Sequence, residues 1–211
     1  MSDIARKVAQ YLLKADAVRL NPGNPFTWAS GLKSPIYCDN RKILSFPEYR
    51  TEIKNHLSEL SDILGDAEVI AGVATAGIPH GVLVADVKNL PFIYVRSKAK
   101  GHGLQSRIEG RYLEGQKVVV TEDLISTGRS SLDAVDSLRE AGLNVLGVIA
   151  LFSYGLEEAQ DNFNKADCQL ATLSNYGTLI EVALEQKMIS EEDLFLLKEW
   201  KANPKNWLKE D

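Results

Sequence analysis

The stretch "VVVTEDLISTGRSS", Val118 to Ser131, changes character twice within fourteen residues. Three valines make a buried strand, and two adjacent acids, Glu122 and Asp123, follow at what reads as its exposed end, since burying an unpaired charge costs several kcal/mol. Next comes the small-residue run "STGRSS", in which Gly128 can take a positive φ and successive backbone N–H groups can converge at the start of a helix over 128–141. Such a turn is a nest for an anion, and a phosphate suits it. Neighbouring acids would repel that phosphate unless they hold hydroxyls or a metal while the turn holds the phosphate. A sugar phosphate meets both demands.

Working outward, apolar strand-like runs at 67–74, 91–96, 116–123, 144–152 and 168–173 alternate with helical patterns at 77–88, 128–141, 156–164, 175–186 and 190–202. Strands without polar alternation, separated by helices, predict an open parallel sheet covered on both faces. Ligands in such folds bind outside the carboxyl ends of the strands. The segments 74–80, 97–111, 123–131 and 153–156 should therefore share one face. Upstream, "FPEYRTEIKNHLSELSDIL" (46–64) has helical spacing with Pro47 at its start, where a missing N–H does no harm. Ile4, Val8, Tyr11 and Leu12 mark a first helix, and "NPGNPFTWASGLKSPIYCDNR" (21–41) reads as a turn followed by short strands. The expected fold is α/β, an open parallel sheet flanked by helices with a small N-terminal α+β hood. Its expected divisions are 1–45 for the first helix and hood, 46–189 for the core, and 190–211 for a C-terminal helix and tail.

Composition excludes several classes. The chain has 211 residues, 45% hydrophobic and 25% charged, with a net charge of -5. That balance is ordinary for a globular protein and argues against sequence-independent nucleic-acid binding. Cys38 and Cys168 form no metal-binding or disulfide pattern, which fits a reducing cytoplasm. The longest apolar run, "VLGVIALF" (145–152), is far below the roughly 18 residues of a membrane span, and the first sixteen residues do not read as a signal peptide.

The strand, acid pair, two apolar residues and T-G turn resemble the signature of type I phosphoribosyltransferases, which bind phosphoribosyl pyrophosphate (PRPP). By that resemblance Glu122 and Asp123 bind the ribose hydroxyls and Ser126, Thr127, Gly128, Arg129 and Ser130 bind the 5-phosphate, with Leu124 and Ile125 inside the same motif. The segment "YVRSKAKGHGLQSRIEG" from Tyr94 resembles the catalytic loop of the orotate phosphoribosyltransferases, whose working cations would here be Arg96, Lys100 and His102. Five Arg or Lys and one Glu lie between 96 and 111, as closure over a pyrophosphate requires, although charge alone would equally fit a solvated loop. "FTWASGLKSPIYCDNR" resembles the hood that lies over the pyrimidine, and equally fits a satellite apolar cluster. "GVATAGIPHG" (72–81) fits the family's pyrophosphate loop, with His80 read as a helix-start residue.

The resemblance spans about residues 15–187 and implies transfer of ribose 5-phosphate from PRPP to orotate. Mg²⁺ is expected to be held mainly through PRPP, with no dedicated protein metal ligand, and Ser126 is expected to touch orotate. A homodimer sharing loop residues is also implied. One branch of the family has a Lys after the loop Arg and an acid before the His, where this chain has Ser97 and Gly101. The same branch uses an Arg for the orotate carboxylate near the position of Tyr154, leaving Arg129 or backbone N–H groups as substitutes. For Arg129 three roles stay open: charge at the phosphate, help for the carboxylate, or solvent. Two rival readings are a phosphoribosyltransferase for a purine or uracil, and a PRPP-sensing regulator that binds nucleic acid.

Overall fold

The computed structural model describes residues 2–28, 31–97 and 107–207. Helix α1 (Ser2–Lys14) leads into β1 (Val18–Leu20), β2 (Phe26–Thr27), β3 (Lys33–Ser34) and β4 (Ile36–Cys38). Strands β1 and β4 pair antiparallel, as do β2 and β3, giving the small hood. A 3-10 turn at Asn40–Ser45 joins it to α2 (Pro47–Leu64), which opens on Pro47.

From there the alternation expected from the apolar runs is present: β5 (Val69–Val73), α3 (Gly77–Lys88), β6 (Phe92–Val95), β7 (Ile108–Glu109), β8 (Lys117–Ile125), α4 (Arg129–Glu140), β9 (Asn144–Ser153), α5 (Glu157–Lys165), β10 (Leu170–Asn175), α6 (Tyr176–Glu185) and α7 (Glu191–Ala202). The sheet order is β10-β9-β8-β5-β6-β7. All neighbours are parallel except β7, which runs antiparallel to β6 by pairing Ile108 with Val95 and Glu109 with Tyr94. The sheet is therefore mixed at one edge, where a loop had been expected from 97 to 111.

Alternate strand residues feed two cores, as the two-residue period of a strand requires. Ile70, Val119, Ile149, Leu151 and Leu173 pack with α1, α2, α3, α6 and α7. Val69, Ala71, Val118, Val120, Val148 and Ala150 pack on the other face with α4 and α5. Burial on both faces is why these strands read as continuous apolar runs. The C-terminal helix belongs to the first of these cores through Leu194, Leu197 and Trp200. Among the described residues no helix is long and apolar enough to cross a membrane.

The chain turns from β5 to β6 on one side and continues to β8 on the other, so strand order reverses between β5 and β8. A crevice opens at such a switch point, outside the carboxyl ends of the two strands. The turns before α3 and α4 flank it.

Candidate active site

Strand β8 does not end at the acids. It continues through Leu124 and Ile125, which pair with Phe152 and Ser153 of β9, so Glu122 and Asp123 lie inside the strand. The expected exposed end is thereby corrected: Glu122 is only 5% exposed and Asp123 is half-buried. The added ladder bonds and the burial of Ile125 favour two more strand residues over an early turn.

The buried Glu122 carboxyl has its partners. Its Oε1 accepts from the backbone N–H of Asp123 at 3.0 Å and its Oε2 accepts from Ser131 Oγ at 3.3 Å. Ser131 is fully buried in the first turn of α4. On the opposite side Gly77 opens α3 so close to β8 that a Cβ there would stand 2.4 Å from the Thr121 carbonyl oxygen and 3.3 Å from Glu122 Oε1. Only glycine allows that approach, which draws the two turns around one crevice.

Burial first, then the charge of Asp123, raises the Glu122 pKa well above the ordinary carboxylate value, although the Asp123 N–H and Ser131 hydroxyl partly offset both. Asp123 is also raised by burial, while its hydrogen bond with Glu122 and the nearby Arg41 pull it back. Burial thus opposes ionisation of both acids, and more strongly at Glu122. Because folding favours protonated Glu122, its contribution to stability is largest at low pH and is lost as pH rises from the ordinary glutamate range through the elevated folded value. Glu122→Gln keeps one of the two acceptor oxygens, offers its NH2 to the Ser131 hydroxyl, and removes this penalty. The variant is expected to melt above wild type at about pH 8 and to converge with it near about pH 4. Thermal denaturation at both pH values checks this; a lower melting temperature for the variant at both contradicts it.

Asp123 is also fixed from the hood. Asn40, fully buried, donates from Nδ2 to the Asp123 carbonyl at 2.8 Å, and its Oδ1 accepts from the Cys38 thiol at 3.0 Å. Arg41 pairs with Asp39 at 2.6 Å and lies within electrostatic reach of Asp123.

The turn after β8 has half-buried Ser126 and Thr127, buried Gly128 at φ 77°, and exposed Arg129 and Ser130. Neither Ser126 nor Thr127 caps α4 through its side chain. The first-turn N–H groups of a helix have no partner within it and point out of its N-terminus. Arg129 Nη2 donates to Glu158 Oε1 at 2.9 Å, and Lys205 holds the other oxygen of Glu158 at 2.7 Å.

Arg96 directly follows β6, its backbone N–H donating to the Arg107 carbonyl at 2.8 Å while Arg107 Nε donates to the Arg96 carbonyl at 2.9 Å. Its guanidinium stands 3.4 Å from Glu109 Oε1. Lys100 and His102 lie outside the described residues. His80 is the fourth residue of α3, 1% exposed and kept neutral by burial that lowers its pKa to about 4. In the hood, Trp28 stacks on Tyr154 with ring centroids 5.2 Å apart and meets Trp200 edge-on, donating from Nε1 to the Ile36 carbonyl at 3.1 Å. Trp28 is thus part of an aromatic cluster, and Tyr154, 3% exposed, is buried in it. Of the expected site residues, Glu122, Asp123 and the turn from Ser126 to Ser130 lie along the end of β8 and the start of α4, whereas Leu124 and Ile125 pack into the two cores and are not brought to the site. Sequence reading missed how the site residues are held: Ser131, Gly77 and Asn40 all stand in quoted segments, but their contacts with β8 gave no sign there.

Residues 44–187 match the phosphoribosyl transferase domain. Over 208 residues the chain is 53% identical to the orotate phosphoribosyltransferase of Enterococcus faecalis, covering 98% of this chain and 99% of the relative. Over 205 residues it is 54% identical to the Listeria monocytogenes enzyme of the same name, covering 97% and 98%. The crystal structure of orotate phosphoribosyltransferase from Aeropyrum pernix superposes with a TM-score of 0.75 at 28% identity, over 87% of this chain and 99% of that one.

Proposed function

The chain belongs to the orotate phosphoribosyltransferases, and from that premise we propose how its own residues carry out the reaction. The enzyme transfers ribose 5-phosphate from PRPP to orotate, giving orotidine 5'-phosphate and pyrophosphate in pyrimidine biosynthesis. The observation that carries the residue assignment is the convergence of the acid pair and the α4 turn at one switch point.

In this proposal Asp123 accepts hydrogen bonds from the ribose hydroxyls, and burial keeps Glu122 uncharged beside it. A pair with a single charge repels the phosphates of PRPP less than two carboxylates would. Ser126, Thr127, Gly128, Arg129 and Ser130 hold the 5-phosphate, and Ser126 also reaches orotate. Arg96, Lys100 and His102 stabilise the charge that develops on the departing pyrophosphate. The α3 turn offers further N–H groups to the pyrophosphate.

Mg²⁺ is part of the proposal, and the donor set suits an ion delivered on PRPP. Among the described residues no three His, Cys, Asp or Glu are grouped to hold one alone, and Asp123 supplies a half-buried carboxyl beside the proposed place of the ribose hydroxyls. When bound, the ion would neutralise pyrophosphate oxygens, as hard Mg²⁺ commonly does with few protein ligands. A homodimer and a cytoplasmic setting complete the proposal; Cys38 and Cys168 are both free thiols, in keeping with a reducing compartment.

The test is product formation from PRPP with orotate, adenine, xanthine and uracil, each with and without Mg²⁺. Orotate is expected to be the one base that turns over at a substantial rate, and omission of Mg²⁺ to suppress that rate. Preferential turnover of a purine would overturn the substrate assignment, and full activity after chelation would overturn the role of the ion.

A further inference from the structure

We infer that Asn162 of α5 is a positioning residue for the phosphate turn, fixing the Thr127–Gly128 peptide so that the Gly128 N–H faces the 5-phosphate of PRPP. This rests on the reading of that turn given above. Asn162 Nδ2 donates to the Thr127 carbonyl at 2.9 Å. In a trans peptide the carbonyl and the following N–H point in opposite directions, and the Thr127–Gly128 bond is trans. Drawing the carbonyl towards α5 therefore turns the Gly128 N–H away from α5, to join the free N–H groups of the first turn of α4.

Two neighbours of Asn162 support the same geometry. The ring of Phe163 lies against Gly128 so closely that a Cβ there would be 2.5 Å from Cε2, which stops the turn from moving back towards α5. Glu158, four residues before Asn162 and on the same helix face, holds the Arg129 guanidinium. Helix α5 thus grips three consecutive residues by a carbonyl, a Cα and a side chain. Arg129, unassigned from sequence, is directed to Glu158 beside the turn. Because the Asn162 amide is uncharged, its effect is one of orientation rather than field.

The test uses the full-length protein and Asn162→Ala, with Asn162→Asp as a variant of equal size that lacks the donor. Inhibition by ribose 5-phosphate and by pyrophosphate is measured beside PRPP kinetics. Asn162→Ala is expected to raise KM for PRPP and Ki for ribose 5-phosphate by about five- to tenfold, the equivalent of one hydrogen bond. Its kcat and its Ki for pyrophosphate should stay within about twofold of wild type, because the lost contact serves the phosphate end alone. Asn162→Asp should show at least that selective loss, because its carboxylate lacks the donor and also repels the Thr127 carbonyl and the phosphate. An unchanged ribose 5-phosphate Ki in both variants, or an equal rise in both inhibitor constants, would overturn the inference. A wild-type enzyme that ribose 5-phosphate does not inhibit would overturn the phosphate-turn reading itself, and the inference with it.

Discussion

Lys100→Ala is expected to lower kcat with orotate by about 10²- to 10³-fold, the scale of losing one group that meets charge developing in the transition state. Displacement at the anomeric carbon leaves positive charge on the sugar and sends negative charge into the pyrophosphate. A chain with a net charge of -5 must supply the answering cations locally. The two described arginines assigned to PRPP have carboxylate neighbours: Arg96 stands beside Glu109 and Arg129 is bound by Glu158. An arginine shared with a carboxylate offers a pyrophosphate less net charge, which places the larger demand on Lys100 and His102. Because the contact strengthens as the leaving group departs, kcat should fall much further than PRPP affinity. Steady-state kinetics with a separate PRPP titration checks both. An unchanged kcat would remove Lys100 from the reaction.

The α/β core was legible because β5, β8 and β9 are buried on both faces and spell themselves as valine- and isoleucine-rich runs. Pro47 marked the start of α2 for an equally local reason. Strand β7 was not legible: it has two residues, and in a charged, glycine-rich segment only Ile108 gives it an apolar face. The acids were found by type but misplaced in environment. Nothing local says that Leu124 and Ile125 would keep pairing with β9 and carry Glu122 into the protein. The supporting contacts are further still from sequence. Asn40 reaches a carbonyl 83 positions away and Asn162 one 35 positions away, and side-chain amides at those separations leave no periodic trace. The hood aromatics had two readings, and for Trp28 the stacking on Tyr154 decides for an internal cluster.

Asp123→Asn bears on the central claim, that the end of β8 holds the ribose of PRPP. Asp123 is the less deeply buried member of the pair, and its backbone is fixed by Asn40. Asparagine preserves size and one acceptor, so the fold should be retained while a charge-assisted hydrogen bond is lost. Such bonds contribute about 1.5–3 kcal/mol, corresponding to roughly 10- to 100-fold in affinity. The direct measurement is calorimetric titration of PRPP, with Mg²⁺ present, into wild type and Asp123→Asn. The account predicts clear binding to wild type and a loss of that size in the variant; wild-type affinity in the variant would contradict it.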